Sequence, residues 1–464
     1  MAADDCDVVV IGAGPAGEVA AGRLAGAGLS TVIVEQRLVG GECSYYGCIP
    51  SKTLIRPGDV LAAARRVPGA AEAVTGRIDT AAAFGRRDYM TSDWHDDGQV
   101  PWLTDRGVEL VRGTGVLTGK RTVEVRAAGA APRTLRAAKA VVLATGTTPL
   151  IPPIPGLRDV GPWDNQTATS AKDVPKRLLV LGGGPVGAEL AQAFRRLGSS
   201  VVIVEAADRL LAREEPFAAD EVQAAFEAEG ISVVTGARLT EARRDGRDGR
   251  VIATLDNGRA FSADEILVAV GRRPSTSGIG LDTVGLAPGS PVRVDSQLRA
   301  VGVTGGWLYA VGDCNGVSPF THMGKYQARI AADVIAGKQA ADVASTAIVP
   351  RVTFTDPQVC AVGLTEAAAR RTGLAVTVVR TATGDVPGAY VRGTGITGTS
   401  QLVIEDSTRR IVGATFTGPD LQELLHSATI AICSEVPVDR LWHAVPSFPT
   451  ISEVWLSLLE AYGL

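Results

Sequence analysis

Val8-Val9-Val10-Ile11 is an uninterrupted apolar run, the pattern of a parallel strand covered on both faces. It leads into Gly12-Ala13-Gly14-Pro15-Ala16-Gly17, then a helical stretch to about Gly26, then a second run, Thr31 to Val34, closing at Glu35. Strand, glycine turn, helix, strand and terminal acid make one βαβ unit. The pattern returns 170 residues later. Arg177 to Leu181 predicts a strand, Gly182-Gly183-Gly184-Pro185-Val186-Gly187 the turn, Glu189 to Leu197 a helix, and Val201 to Val204 a strand ending at Glu205. Such duplication predicts an α/β chain built on two Rossmann-like dinucleotide-binding domains. Between the copies, 54–110 has helical composition and 111–141 alternates like antiparallel strands with Gly-rich turns. Ile151 to Gly156, rich in proline, is a stiff connector and a boundary. Arg243 to Arg250 predicts a hairpin turn with a solvated, charged tip. After Gly271-Arg272-Arg273-Pro274 the chain is expected to return to the first domain. From about 345 it mixes strands (Val352 to Phe354, Gln401 to Ile404, Ile411 to Thr415) with helices (Glu366 to Arg371, Leu421 to Ser434), an α+β pattern.

Composition narrows the classes. A chain of 464 residues suggests about three domains. With 45% hydrophobic and 21% charged residues it reads as an ordinary globular protein. A net charge of −4 and 5% aromatics give no basis for nucleic-acid or acidic membrane partners. The start carries Asp4, Asp5 and Asp7 where a secretory leader would be basic, and Val8 to Ile11 is too short to span a bilayer. Six cysteines (6, 43, 48, 314, 360, 433) in so long a chain do not form a disulfide framework. The expected setting is cytoplasmic and reducing, where a close cysteine pair is catalytic rather than structural. No metal site is expected.

The candidate chemistry is compact. Gly12 permits the tight turn, Gly14 lets the backbone approach a pyrophosphate, and Gly17 lets helix and strand pack closely. The helix start offers N–H groups to phosphates, and Glu35 can accept from a ribose. Gly182, Gly184, Gly187 and Glu205 repeat the arrangement. Soon after the first copy comes Gly40-Gly41-Glu42-Cys43-Ser44-Tyr45-Tyr46-Gly47-Cys48-Ile49-Pro50-Ser51-Lys52. Four intervening residues with Gly47 can bring the two sulfurs together at a helix start, an end that lowers thiolate pKa and favours exchange.

Gly40 to Lys52 resembles the active-site segment of the class I FAD-dependent pyridine nucleotide–disulfide oxidoreductases, a family that includes dihydrolipoamide dehydrogenase, glutathione reductase and mercuric reductase. The resemblance runs over essentially the whole chain. It implies that 1–150 with 276–344 binds FAD, that 151–275 binds a nicotinamide nucleotide, and that 345–464 is a dimerisation domain completing a homodimer. Ala144-Thr145-Gly146 looks like the family's turn out of the FAD domain, and Leu308 to Asp313 like its second FAD element, with Gly312 in the turn and Asp313 on the ribitol chain. Glu205 then stands where a 2′-hydroxyl is bonded and a 2′-phosphate repelled, favouring NAD(H) over NADP(H). Arg209 and Arg213 read as surface arginines. Cys43 and Cys48 would form the redox-active disulfide, Cys48 as the flavin-side charge-transfer thiolate and Cys43 attacking the substrate. Lys52 would stabilise the reduced flavin, held by Glu189. Tyr45 replaces a frequent asparagine, and the two tyrosines are expected to crowd the loop and narrow substrate access.

One family element is missing. The C-terminal signature places a histidine before Pro-Thr, with a glutamate five positions on; here the run is Phe448-Pro449-Thr450-Ile451-Ser452-Glu453. Phenylalanine cannot carry the proton, and that loss costs about 10²–10⁴-fold in rate. His443 lies on the same loop as a substitute, and His322 follows the FAD element, at the flavin face or the dimer seam. Mercuric reductase also departs here but has a C-terminal cysteine pair this chain lacks; 2-ketopropyl coenzyme M carboxylase shares the phenylalanine but replaces the glutamate. The expected activity is an FAD-dependent NAD(P)H oxidoreductase passing electrons through Cys43–Cys48 to a small acceptor or a thiol/disulfide, dihydrolipoamide dehydrogenase-like. The alternatives are reduction of quinones, electrophiles or metal ions, or thiolate-driven C–C or C–X bond chemistry.

Overall fold

The computed structural model describes residues 4–246 and 249–464. They form two compact units, one running up to Pro50 with Arg87–Leu150 and Gly271–Thr346, the other Ser51–Arg86, Ile151–Val270 and Ala347–Leu464.

The first unit is built on the apolar run at its start. Val8, Val9 and Val10 are fully buried in strand Asp4–Ile11. That strand lies between Thr31–Glu35 and Arg133–Leu143, parallel to both. Arg133–Leu143 is shared along its length. Its first half pairs antiparallel with Thr122–Arg126, and its end pairs parallel with Leu308–Ala310. This register brings a segment some 300 residues away in sequence beside the first glycine turn. Helix Pro15–Gly26 packs on helix Thr321–Ile335. The stretch 54–110 is not helical throughout: Val108–Arg112 is a strand on the sheet edge, parallel to Thr31–Glu35. Five half-buried residues are too few to mark a strand among helical neighbours, and only the parallel partner makes it one.

The second unit repeats the scheme. Its four-stranded parallel sheet runs Ser232–Val234, Ser200–Val204, Arg177–Leu181, Glu265–Val268. The helix after the second turn starts at Pro185, earlier than the predicted Glu189, because proline's fixed φ and missing N–H suit the first helical position. It ends at Gly198, whose φ of 117° is the left-handed conformation that stops a helix. Strands Leu239–Arg244 and Val251–Leu255 pair antiparallel as the predicted hairpin requires, but 247 and 248 at its tip lie outside the described residues. A five-stranded antiparallel sheet follows, in the order Arg351–Thr353, Gln358–Gly363, Arg410–Gly418, Thr399–Glu405, Val376–Ala382. Two of these strands, 358–363 and 376–382, have no counterpart among the predicted ones. Helix Glu366–Arg371 falls where the sequence places it, started by the Thr365 hydroxyl accepting from Ala368 N at 3.2 Å. No described helix is long and apolar enough to cross a membrane.

Candidate active site

The two glycine turns are close copies. Gly12 and Gly182 have φ of 102° and 106°. A Cβ on Gly17 would lie 1.9 Å from Gly12 O, and one on Gly187 2.0 Å from Gly182 O, so only glycine lets each helix approach its strand. Each terminal acid is fixed in the same way. Glu35 accepts from Ala13 N and Arg37 N, both at 2.7 Å. Glu205 accepts from Gly183 N at 2.6 Å and Ala207 N at 2.7 Å. One amide per carboxylate oxygen leaves lone pairs for a ribose. Arg209 bonds the carbonyl of Ala212 in its own loop.

The first turn leaves bare backbone open to a dinucleotide's phosphates. Gly14 and Gly41 face each other so closely that a Cβ on Gly41 would come 2.7 Å from Gly14 Cα, leaving a cradle walled by bare backbone. Gly146, φ 68°, follows Ala144 and Thr145 beneath it. Asp313 accepts from the Thr147 hydroxyl at 2.8 Å, and burial pushes its carboxyl above the usual carboxylate range. Arg272 donates to Thr147 Oγ1 at 2.7 Å and pairs with Glu42, the residue before Cys43.

Cys43 stands in the short helix Gly41–Tyr45, and Cys48 opens helix Cys48–Arg65. The two thiols are hydrogen-bonded to each other, and the Thr321 hydroxyl reaches both, 3.4 Å from Cys48 Sγ. The hydrogen bond to Cys48, burial, and charge on Cys48 all push the Cys43 thiol far above its ordinary range; Thr321 opposes them. The expected lowering by a helix start therefore does not hold for Cys43: its sulfur neighbour and desolvation outweigh the dipole. His322, next to Thr321, stacks on Phe320 with centroids 5.5 Å apart. Tyr45 does not narrow access either. It is 1% exposed and packed inward, whereas Tyr46 is half-buried beneath the Arg37 guanidinium.

In the second unit, Lys52 Nζ bonds Glu189 Oε2 at 2.6 Å and lies 4.8 Å from the Phe354 ring centroid. Glu189 Oε1 also accepts from Phe354 N at 3.0 Å, so the buried carboxylate is satisfied on both oxygens. Phe448 is 74% exposed. Glu453 forms a capping box with Thr450 at the start of the last helical segment. His443 is exposed. Sequence reasoning missed Thr321: nothing in Pro319-Phe320-Thr321-His322 marks a hydroxyl that the fold sets against two cysteines 273 and more residues upstream.

The family model for pyridine nucleotide-disulphide oxidoreductases matches residues 6–340, and that of their dimerisation domain matches 349–458. The chain belongs to this family. It is an FAD-dependent oxidoreductase of the flavin disulfide class, using a pyridine nucleotide and carrying the family's dimerisation domain. The oxidoreductase is 34% identical to a dihydrolipoyl dehydrogenase of Chlorobaculum tepidum over 456 residues, 96% of this chain and 95% of that protein. It is 33% identical to a mercuric reductase of Streptomyces lividans over 448 residues, 94% and 92% of the two chains. Among solved structures it is similar to the Cu(II) complex of the HOCl-induced flavoprotein disulfide reductase RclA from Escherichia coli, with a TM-score of 0.86, 25% identity, and 98% and 99% of the two chains covered.

Proposed function

We propose that this oxidoreductase is NAD(H)-dependent and delivers two electrons through Cys43 and Cys48 to an acceptor that needs no protein-held acid. The carrying observation is Phe448, an exposed ring where the family's signature places its base. Gly12, Gly14, Gly17, Glu35, Thr145, Gly146, Gly312 and Asp313 would hold FAD; Gly182, Gly184, Gly187 and Glu205 would hold NAD(H), with the Glu205 carboxylate repelling a 2′-phosphate. Bound FAD supplies hydride acceptance from the nicotinamide and two-electron delivery to sulfur. Lys52, fixed by Glu189, offers the positive charge that favours electron-rich flavin. For each NADH consumed, the Cys43–Cys48 bond breaks and two protons, one from the hydride and one from solvent, end on the sulfurs. Cys48 is assigned the flavin side and Cys43 the acceptor side. Residues 1–150 with 276–344, 151–275 and 345–464 serve as FAD, NAD and dimerisation domains of a homodimer in a reducing, cytoplasmic setting.

Quinones, reactive electrophiles and thiophilic metal ions take electrons from such a dithiol without a general acid. Metal-ion reduction is supported by the mercuric reductase relatives and by the Cu(II) complex of RclA. A dihydrolipoamide dehydrogenase-like activity has the support of 34% identity, and Phe448 argues that it is slow. Thiolate-driven C–C or C–X chemistry has only the shared phenylalanine behind it. The test is anaerobic NADH titration followed by turnover on lipoamide, a quinone, Cu(II) and Hg(II). Cysteine-dependent turnover of a quinone or metal ion exceeding that of lipoamide supports the reading. Flavin reduction and acceptor turnover unchanged in a Cys43→Ser/Cys48→Ser variant sink it.

A further inference from the structure

The turn Ser92-Asp93-Trp94 is unlike the rest of the first unit. Three consecutive residues, none of them glycine, have φ of 50°, 49° and 59°. Side-chain crowding makes this left-handed conformation costly, and it survives only where surrounding contacts over-determine it. Those contacts lead to the cysteine loop. Trp94 Nε1 donates to the carbonyl of Tyr45 at 3.0 Å, and the Tyr45 hydroxyl donates back to the carbonyl of His95 at 3.4 Å. Each aromatic residue thus grips the other's backbone strand. Tyr45 is 1% exposed and lies between the two cysteines. It is also the last residue of the short helix carrying Cys43. From the other side, the Arg87 guanidinium lies 5.3 Å from the Trp94 ring centroid and is fully buried. The crossing from Tyr45 to Cys48 has no slack: a Cβ on Gly47 would lie 3.2 Å from Glu42 O and 3.4 Å from Cys43 Cα.

We infer that Trp94 and Tyr45 are positioning residues for the sulfur pair, forming a reciprocal clamp in which the strained turn holds the Cys43–Cys48 loop closed. The clamp acts on one quantity, the effective concentration of one sulfur at the other. With the loop held, closing the S–S ring costs little chain entropy; with it loosened, the dithiol gains freedom that the disulfide cannot use. Losing either hydrogen bond should therefore make the disulfide easier to reduce. This rests on the proposal that Cys43 and Cys48 form a working disulfide.

The experiment is the thiol–disulfide equilibrium of the pair in the full-length, FAD-loaded protein, set in dithiothreitol buffers and read by alkylation and mass shift. It requires no turnover. Trp94→Phe keeps an aromatic ring beside Arg87 but removes the donor together with part of the indole; Tyr45→Phe removes only the hydroxyl. Each is expected to shift the equilibrium about fivefold toward the dithiol, the order of one buried hydrogen bond, and the double variant by about tenfold or more, equivalent to about 30 mV. If Trp94→Phe does not fold, Tyr45→Phe decides alone. Equilibria within twofold of wild type, or shifted toward the disulfide, overturn the clamp. A wild-type pair that never forms a disulfide defeats the functional reading instead.

Discussion

Asp59 offers a quantitative test of how the second unit distributes buried charge. Arg196 donates to Asp59 at 3.0 Å, to Glu229 at 2.7 Å and to Asp356 at 2.8 Å. Arg66 also donates to Asp356. Two guanidiniums thus serve three carboxylates. Asp59 is the one left short: burial first, and then the neighbouring Asp356 charge, raise its pKa to about 7 against the pull of Arg196. The unfolded value is 3.8. Between about pH 4 and pH 7 the native state keeps a proton that the unfolded chain has released, so stability falls as pH rises through that window and levels off above it. At about 1.4 kcal/mol per pKa unit the full shift amounts to about 4 kcal/mol. Partial solvent access of the side chain reduces this to about 2–4 kcal/mol. Asp59→Asn keeps an acceptor for Arg196 and removes the titration. Thermal midpoints of variant and wild type, compared at fixed ionic strength, should agree within about 2 °C at pH 4.5. At pH 8 the variant should melt about 4–8 °C higher, at about 2 °C per kcal/mol for a unit of this size. A difference independent of pH, or a variant less stable at pH 8, refutes the charge argument.

Three further outcomes are expected. Lys52→Met strands a carboxylate that is 5% exposed, whereas Glu189→Gln leaves a lysine that still reaches solvent. The first should cost about 2–3 kcal/mol and the second about 1 kcal/mol in urea unfolding, and equal costs would contradict the assigned asymmetry. Thr321→Val removes the hydroxyl that opposes the raised Cys43 pKa. Iodoacetamide labelling of the reduced pair at pH 8 should slow by about threefold to tenfold, and an unchanged rate would show that the hydroxyl does not act on the thiolate. Phe448→His places an imidazole at a position that is exposed within the single chain. Lipoamide turnover should rise by about tenfold to a hundredfold, and no gain would mean that the missing base is not what limits this acceptor.

Much of this protein was legible from one-dimensional pattern. Continuous apolar runs, glycine spacing and terminal acids located both dinucleotide units, because burial on both faces of a parallel strand and backbone approach to phosphate impose residue types locally. The cysteine pair, Lys52 and Phe448 were equally readable, each as a departure or match within a short segment. What escaped depended on partners remote in sequence. Val108–Arg112 is a strand only because Thr31–Glu35 lies beside it. Cys43 is raised rather than lowered because the fold buries it against Cys48. Tyr45 turns inward because a left-handed turn some 50 residues later accepts and returns its hydrogen bonds. Thr321 reaches the sulfurs because Leu308–Ala310 joins the same sheet and delivers the helix after it. Local sequence determines which chemistry a segment can host. Long-range pairing and desolvation, which no local window contains, determine which groups meet and which proton each one keeps.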